Sequence, residues 1–563
     1  MRGSVRRNVA GRGRLRLSRL FLSASMLLLH LAPPGAFCSA EPSPHSKKAV
    51  EDGGAAMEEA SRLLSSSDPE EQVAGARRIA SIGTAGAASV PRLIELLETG
   101  TARIRPMGLG TVTPSKEARA AIVAVGEAAV PALIESLGNG SPALRAEVAG
   151  VLGEIRSGMA VRALASALSD PERLVRQNAA DALGRIGDRA ATAKLAGALA
   201  DPDWIVRANA AASLGRIVDP AAGAPLVAAL SDPMSAVRDA AAGALGELRH
   251  RDAMEPLVGA ILEWRMQQAA VAALGSIDRA GAVASLSRAL ADPEPIRAVR
   301  AAWALGQLRD PAGVEPLIAV LSRPNSDVKI MAGRSLGLIG GKPSVAPLLR
   351  LLSDDDAGVR TVAAGALGEL KDPSAVDPLL ALLPSPDTSI VESAIRSLGM
   401  IRSPRAAAPI EPFLRDPRRT IRRTAAWSLG EIGEKRSSLP VSQLLRDRDP
   451  DVRSASALAL GGLKDPGSIE PLIAALGDAA PTVRKDAATA LGAFRNPLAV
   501  DPLIRALDDP YARVRSAAVQ SLVSITGEKP GVTAEAWRAW KRGRPADPVP
   551  RSREIPSKER SNP

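Results

Sequence analysis

The chain repeats itself. A glycine, nearly always in a Leu-Gly pair, falls at 153, 184, 215, 246, 275, 306, 337, 368, 399, 430, 461 and 492. Every step is 31 residues except the one from 246 to 275, which is 29. The register extends back to Gly126 and Gly83 and forward to Val523, giving about fifteen units over residues 55–526. A fixed period of this length specifies a solenoid, because one short unit cannot bury its apolar face unless a neighbour stacks on it. A chain of 563 residues is also too long for one ordinary core.

One unit shows the parts. Asp170-Pro171 precedes Val175, Ala179, Leu183 and Ile186, which step by four, four and three and so share one helical face. Aspartate caps free N–H groups and proline fits a first turn, so Asp-Pro reads as a helix start. Gly187 suits the left-handed C-cap. A second apolar stretch, as in Pro225–Leu230, leads to the next Asp232-Pro233, so each unit is two short helices. Alanine recurs five residues before the glycine, at 179, 210, 241, 270, 301, 332, 363, 394 and 425. Glycine inside a helix costs about 1 kcal/mol relative to alanine. Repeating that cost implies a backbone that something approaches closely.

Pro-Leu in the first helix, then Asp-Pro, Val-Arg, Ala-Ala and Leu-Gly in the second, resemble HEAT repeats of the phycobilisome-lyase-like type. The resemblance implies an all-α fold, a right-handed α-solenoid, with the second helix of each unit lining the concave side. It is specific for fold and not for function.

Arginine recurs eight residues before the glycine, at Arg145, Arg176, Arg207, Arg238, Arg360, Arg422, Arg453, Arg484 and Arg515, with Lys329 in the same slot. Aspartate stands six residues earlier in many units, at Asp170, Asp201, Asp232, Asp416, Asp447, Asp478 and Asp509. The resemblance implies that these form a ladder tying successive units together. A row of positive charge binding an anionic partner is the alternative. The ladder lapses at Gln267, Ala298 and Val391, and the short unit at 250–275 lacks Asp-Pro, so a bend or weaker joint is expected there.

In a solenoid, positions that vary between units mark surface. Three residues before the glycine stand Trp303, Arg334, Arg396 and Trp427, and seven before stands Arg423. These slots are four apart and share a helix face. The five residues would form a protein-binding strip about 40 Å long at 8–10 Å per helix step. Tryptophan and arginine dominate interface hot spots. Packing of the two indoles on neighbouring helices is the competing reading. The insertion at 99–114, rich in Gly, Pro and Arg, reads as an exposed loop. Residues 527–542 contain Trp537 and Trp540 and read as a cap on the last unit, and residues 543–563 as a disordered basic, Pro-rich tail.

Composition removes most chemistry. There are three histidines and one cysteine, Cys38, which leaves no multi-cysteine zinc site and little acid–base capacity. No catalytic residue, cofactor or metal is expected. Gly333-Arg334-Ser335-Leu336-Gly337 matches a hydrolase elbow as text but lies inside a repeat helix, not in the strand–turn–helix context that motif needs. Deoxyhypusine hydroxylase, which uses similar repeats, binds iron through His-Glu pairs, and this chain has none. Bilin lyase activity stays open as the alternative function.

Net charge is +11, but the excess sits at the ends. Residues 1–40 carry seven arginines and no acid, and residues 526–563 carry nine basic and five acidic residues. The body between them holds 56 of each sign, so it lacks the basic stripe that nucleic acid requires. The arginine-rich start, the apolar run Leu20–Leu31 and the Pro33-Pro34-Gly35 break describe a secretory signal, cut after Ala40. The apolar run is too short to span a bilayer. Phe37 before Cys38 disfavours a lipoprotein signal, and Asn8-Val9-Ala10 does not continue the twin-arginine pattern begun by Arg6-Arg7. An uncleaved anchor is the remaining alternative. A linker at 41–54 follows. The expected protein is a monomeric, exported scaffold of the bacterial envelope, binding another protein, with no transmembrane span after cleavage.

Overall fold

The computed structural model describes residues 44–100, 112–263 and 268–543. The expected signal segment with Cys38, most of the 99–114 insertion, Gln267 and the tail from 544 lie outside the described residues. The chain divides at Glu59 into two units. The first contributes the start of helix Pro44–Leu64, which begins inside the stretch expected to be a linker. Helix formers at Lys47, Lys48, Ala49 and Glu51 carry it through Gly53-Gly54. The second unit, Ala60–Pro563, holds the repeats.

The repeats form an all-α solenoid with no strand among the described residues. Each regular unit pairs a short first helix with a longer second one. The first opens as a 3-10 turn, as in Pro220–Ala222 running into Gly223–Ala229. The second is typically 14 residues long, as in Trp204–Ile217. Consecutive second helices pack on one another along the array, whereas first helices touch each other sparsely. The closely spaced layer is therefore the layer of second helices.

Glycine sets that spacing. A Cβ added to Gly184 would lie 2.8 Å from Cα of Ser213, and one on Gly430 would lie 2.6 Å from Cα of Ala459. Except at Gly275, the partner is two residues before the next glycine, and it is Ala or Ser. Where it is serine, its hydroxyl donates to a carbonyl of the preceding second helix: Ser213 to Ala180, Ser335 to Ala302, Ser397 to Ala364 and Ser521 to Ala488 at 2.8 Å, and Ser428 to Ile395 at 2.9 Å. Ser335, the elbow-like serine, is thus 1% exposed and spent on helix packing. The alanines five before the glycine are all fully buried beside this seam.

Several local expectations change. Asp170 does not cap the helix after it, which starts at Arg173. Its carboxylate instead accepts the N–H of Glu172 and the guanidinium of Arg145. A separate residue caps where a cap is made, as Asp203, Asn325, Asp356, Asp387 and Asp449 do. Gly83 and Gly126 do not occupy the seam slot. They end their helices at φ +67° and +72°, the C-cap role that Gly187 fills at +79°. Val218 and seven basic residues hold the corresponding positive-φ cap elsewhere.

Two stretches, Pro114–Asn139 and Gln268–Ala289, are long and apolar enough to cross a membrane by composition. Both are repeat elements. The first is two helices joined by a 3-10 turn at Gly126–Ala129, and the second is broken at Asp278 (φ −157°, ψ 100°).

The Thr533-capped helix Ala534–Arg542 lies against Val500–Ala506 of the last unit. Trp537 is fully buried, its indole N–H donating to the Gly531 carbonyl at 2.9 Å, with Trp540 edge-on at 5.3 Å. Arg538 and Lys541 pair with Asp508 and Asp501. At the other end of the array, the 99–114 insertion is pinned at its base, where Ser115 N–H meets the Gly100 carbonyl at 2.9 Å.

Candidate functional site

The arginine row is occupied by the protein itself. Arg176 Nε and Nη2 donate to Asp201 at 2.7 and 3.1 Å, while Nη1 donates to the carbonyl of Asp170 at 2.9 Å. One guanidinium therefore clamps its own turn and the next unit's turn. The same rung joins Arg145 to Asp170, Arg207 to Asp232, Arg422 to Asp447, Arg453 to Asp478 and Arg484 to Asp509. Lys329 makes a single bond to Asp354 at 2.7 Å. Bidentate charge-assisted bonds in a partly buried site are the strong kind. Bonds from Arg207, Arg453 and Arg484 hold Asp232, Asp478 and Asp509 below the usual carboxylate range. Burial pushes Asp170, Asp201 and Asp447 upward, and the guanidinium with the turn N–H overrides it, so these too are lowered.

Three of the expected pairs differ. Arg238 and Arg515 donate to the carbonyls of their own turns, at Asp232, Pro233, Asp509 and Pro510. The residues 25 positions on are Glu263 and Trp540, not aspartate. Asp416, facing Val391 across the joint, is taken by Arg418 of its own turn at 2.8 Å.

The variable slots lie on the open face of the second helices. Arg334, Arg396, Arg423 and Trp427 are exposed, and Trp303 is half-buried. Three of the five come together. Arg396 from helix Thr388–Ile401 and Arg423 and Trp427 from Arg419–Ile432 line a groove of about 450 Å³. Helix Pro450–Leu463 completes it with Asp451, Ser454, Ala455 and Leu458. Trp303 and Arg334 lie in the same register on helices Pro295–Leu308 and Ser326–Ile339 but outside the groove.

The groove is apolar with a charged rim. Trp427 and Leu458 are 37% and 45% exposed and stand side by side in it. Arg396 meets Glu392 at 3.0 Å, and Glu392 also accepts from Thr424. The Arg423 guanidinium makes no hydrogen bond or ion pair among the described residues. Ser454 donates to buried Asp486. This arrangement can seat an apolar side chain and pair a carboxylate beside it. Thr424, Asp451, Ser454 and Ala455 escaped the sequence reading of the site, and Leu458, a variable position in that reading, was left out of the strip. Leu458 shares the Trp427 slot one unit on, and that repeat register is the signal that could have found it.

Among the described residues no group of three His, Cys, Asp or Glu side chains could hold a metal ion. No curated protein matches the chain. Among solved structures, a mutant of Kap121p superposes with a TM-score of 0.53 at 14% identity, over 88% of this chain and 67% of that one. The complex of CpcE and CpcF of phycocyanin lyase from Nostoc sp. PCC7120 gives 0.31 at 22% identity, over 43% of this chain and 94% of that one. Human deoxyhypusine hydroxylase gives 0.22 at 23% identity, over 45% and 99%. The first is a likeness of fold. A sequence profile of the PBS lyase HEAT-like repeat matches residues 298–323. A profile of HEAT repeats matches 130–208, 195–265, 314–398, 384–441 and 438–523. Those spans cover more than half of the chain and hold the residues of all seven rungs and most of the glycine seam, so the chain belongs to the HEAT-repeat family.

Proposed function

We propose that the chain is a non-catalytic scaffold, exported to the bacterial envelope, that binds another protein along the open face of its second helices. The observation that carries this reading is the groove at 396–458. Side chains from three successive units converge there, and nothing in the repeat's own packing calls for an exposed indole beside an unpaired guanidinium. The seam closes both joints of the groove and the Arg422–Asp447 rung reinforces the second, so the groove is presented preformed and little ordering cost falls on binding. The arginine-rich leader and the absence of cysteine after Ala40 support export.

Affinity capture from the host's envelope fraction tests the reading. The bait is residues 41–563, beside a Trp427→Ala, Arg423→Ala variant whose helicity and melting are unchanged. A protein held by the first and lost by the second supports the scaffold and its face. Equal capture by both moves the site away from the groove. Finding the chain only in the cytoplasmic fraction overturns the export part alone.

A further inference from the structure

Three residues before the seam glycine, five consecutive units carry Trp303, Arg334, Gly365, Arg396 and Trp427. The order is a palindrome about Gly365, on one face and in one register. Along the helix layer each step is about 8–10 Å, so the two indoles stand about 32–40 Å apart. The guanidinium groups lie between them, one step either side of the centre.

The centre is a glycine that the fold does not need. A Cβ at Gly365 would meet only the Ser393 hydroxyl, at an ordinary 3.4 Å. Three residues later, Gly368 differs sharply, since a Cβ there would press to 2.8 Å from Cα of Ser397. Glycine in a helix interior is unfavourable, and here no close backbone approach explains it. What it does do is keep the surface low between two arginines. Gly243 shares the slot with nothing within 4 Å, but Ala212 and Ala272 flank it, so no tryptophan or arginine converges there.

The charges between the indoles are available to a ligand. Arg334 makes no hydrogen bond or ion pair among the described residues. Arg396 is held by Glu392 in a surface i,i+4 pair, which is weak and exchangeable. Glu369, exposed four residues past Gly365, is the acidic group nearest the centre on that helix.

We infer that this strip binds one extended polypeptide segment of a partner, with acidic side chains seated over Gly365 between Arg334 and Arg396 and a large apolar side chain against each indole. This rests on the scaffold reading and names its ligand. An extended chain covers about 3.3–3.6 Å per residue, so the two apolar anchors fall about ten residues apart, with the carboxylates midway.

A random library of peptides about 16 residues long, displayed on phage and selected on the purified chain, tests this. The expected winners carry Asp or Glu at the centre and a large apolar residue about five positions to each side. Synthesised with a fluorophore, such a peptide should lose at least tenfold in affinity for Gly365→Leu, Trp303→Ala or Trp427→Ala, and about threefold for Arg334→Gln. Gly243→Leu, in the same slot of another unit, should bind as the parent does. Winners lost by Trp427→Ala but indifferent to Gly365→Leu and Trp303→Ala would overturn the inference while leaving the groove, and the scaffold, in place. Winners that are basic at the centre, or indifferent to all four substitutions in the strip, would overturn it too. An absence of enrichment above that on Gly365→Leu would do the same.

Discussion

The helices between Pro142 and Leu248 and those between Gln268 and Ile339 come from the same repeat but are joined differently. In the first region each joint has a rung, from Arg145, Arg176 and Arg207, and a closed glycine seam. In the second the arginine rung is absent from both joints, and at Gly275 the seam opens as well, whereas Gly306 still closes on Ser335. Gln267 and Ala298 replace the arginine. A Cβ on Gly275 would meet Leu308 Cδ2 at 3.4 Å and Arg279 Nη2 at 3.8 Å, both side-chain atoms, so no backbone presses on it. Longer arginines bridge the gap, with Arg279 reaching the Leu308 carbonyl and Arg323 the carbonyls of Leu290 and Asp292. A third region, at 360–416, loses rungs at Ser385 and Val391 yet keeps its seam through Ser397 and Ser428. The seam is therefore the more constant joint, kept at several places where the rung is lost, and the rung reinforces it. The strip Trp303–Trp427 lies over the stretch that relies mostly on the seam.

The largest contrast is expected at the glycines. Gly430→Ala places a methyl against the Ala459 backbone and should cost about 1–3 kcal/mol. Gly275→Ala should instead be neutral or gain up to about 1 kcal/mol from helix propensity. Urea titration of both variants checks this, and equal costs would remove the distinction between the two joints.

Breaking one rung comes next. Asp447→Ala strips Arg422 of both its carboxylate bonds and should cost about 2–3 kcal/mol. Hydrogen exchange should report it in Arg419–Ile432 and Pro450–Leu463. Completing a rung should work the other way. Arg360 already holds the Asp354 and Asp355 carbonyls, and Ser385→Asp would give it the missing acceptor, for about 1 kcal/mol.

Acid should separate the regions as well. The rung carboxyls have folded pKa values below their unfolded ones. Their contribution is present above the unfolded value of about 3.9 and is lost as pH falls through the folded values. Exchange protection should therefore collapse below about pH 4 in 142–248 and 419–526, and change less across 268–308. A uniform loss would mean that the rungs contribute little.

The smallest effect is a calibration. Val218 ends helix Trp204–Ile217 at φ +53°, an unfavourable place for a β-branched residue. Val218→Gly should gain about 1 kcal/mol without touching rung or seam. Thermal unfolding would register it.

Much of the fold was legible because a solenoid writes its contacts into its period. Each unit meets the same neighbours, so Leu-Gly, the buried alanines and the Arg–Asp pairs had to recur. The partner of each glycine was legible in principle, since Ala or Ser stands 29 residues on at ten of the seam glycines. It passed unnoticed because alanine and serine are common everywhere in the chain. Asp170 misled because aspartate suits both a cap and a rung, and the choice depends on a guanidinium arriving from another unit. The groove was half legible. Arg423 and Trp427 stood out as deviations from the repeat, whereas Ala455 and Asp451 look ordinary until the neighbouring helix places them.

By itself, then, the sequence determined the all-α solenoid, the two-helix unit and the face on which variation is tolerated, because those follow from local periodicity and small-residue packing. The tertiary structure decided which arginines are spent on rungs, where the seam opens at Gly275, and which surface residues converge around Trp427. Those outcomes depend on how far apart adjacent helices settle, and that distance is set by atoms about thirty residues away in the chain.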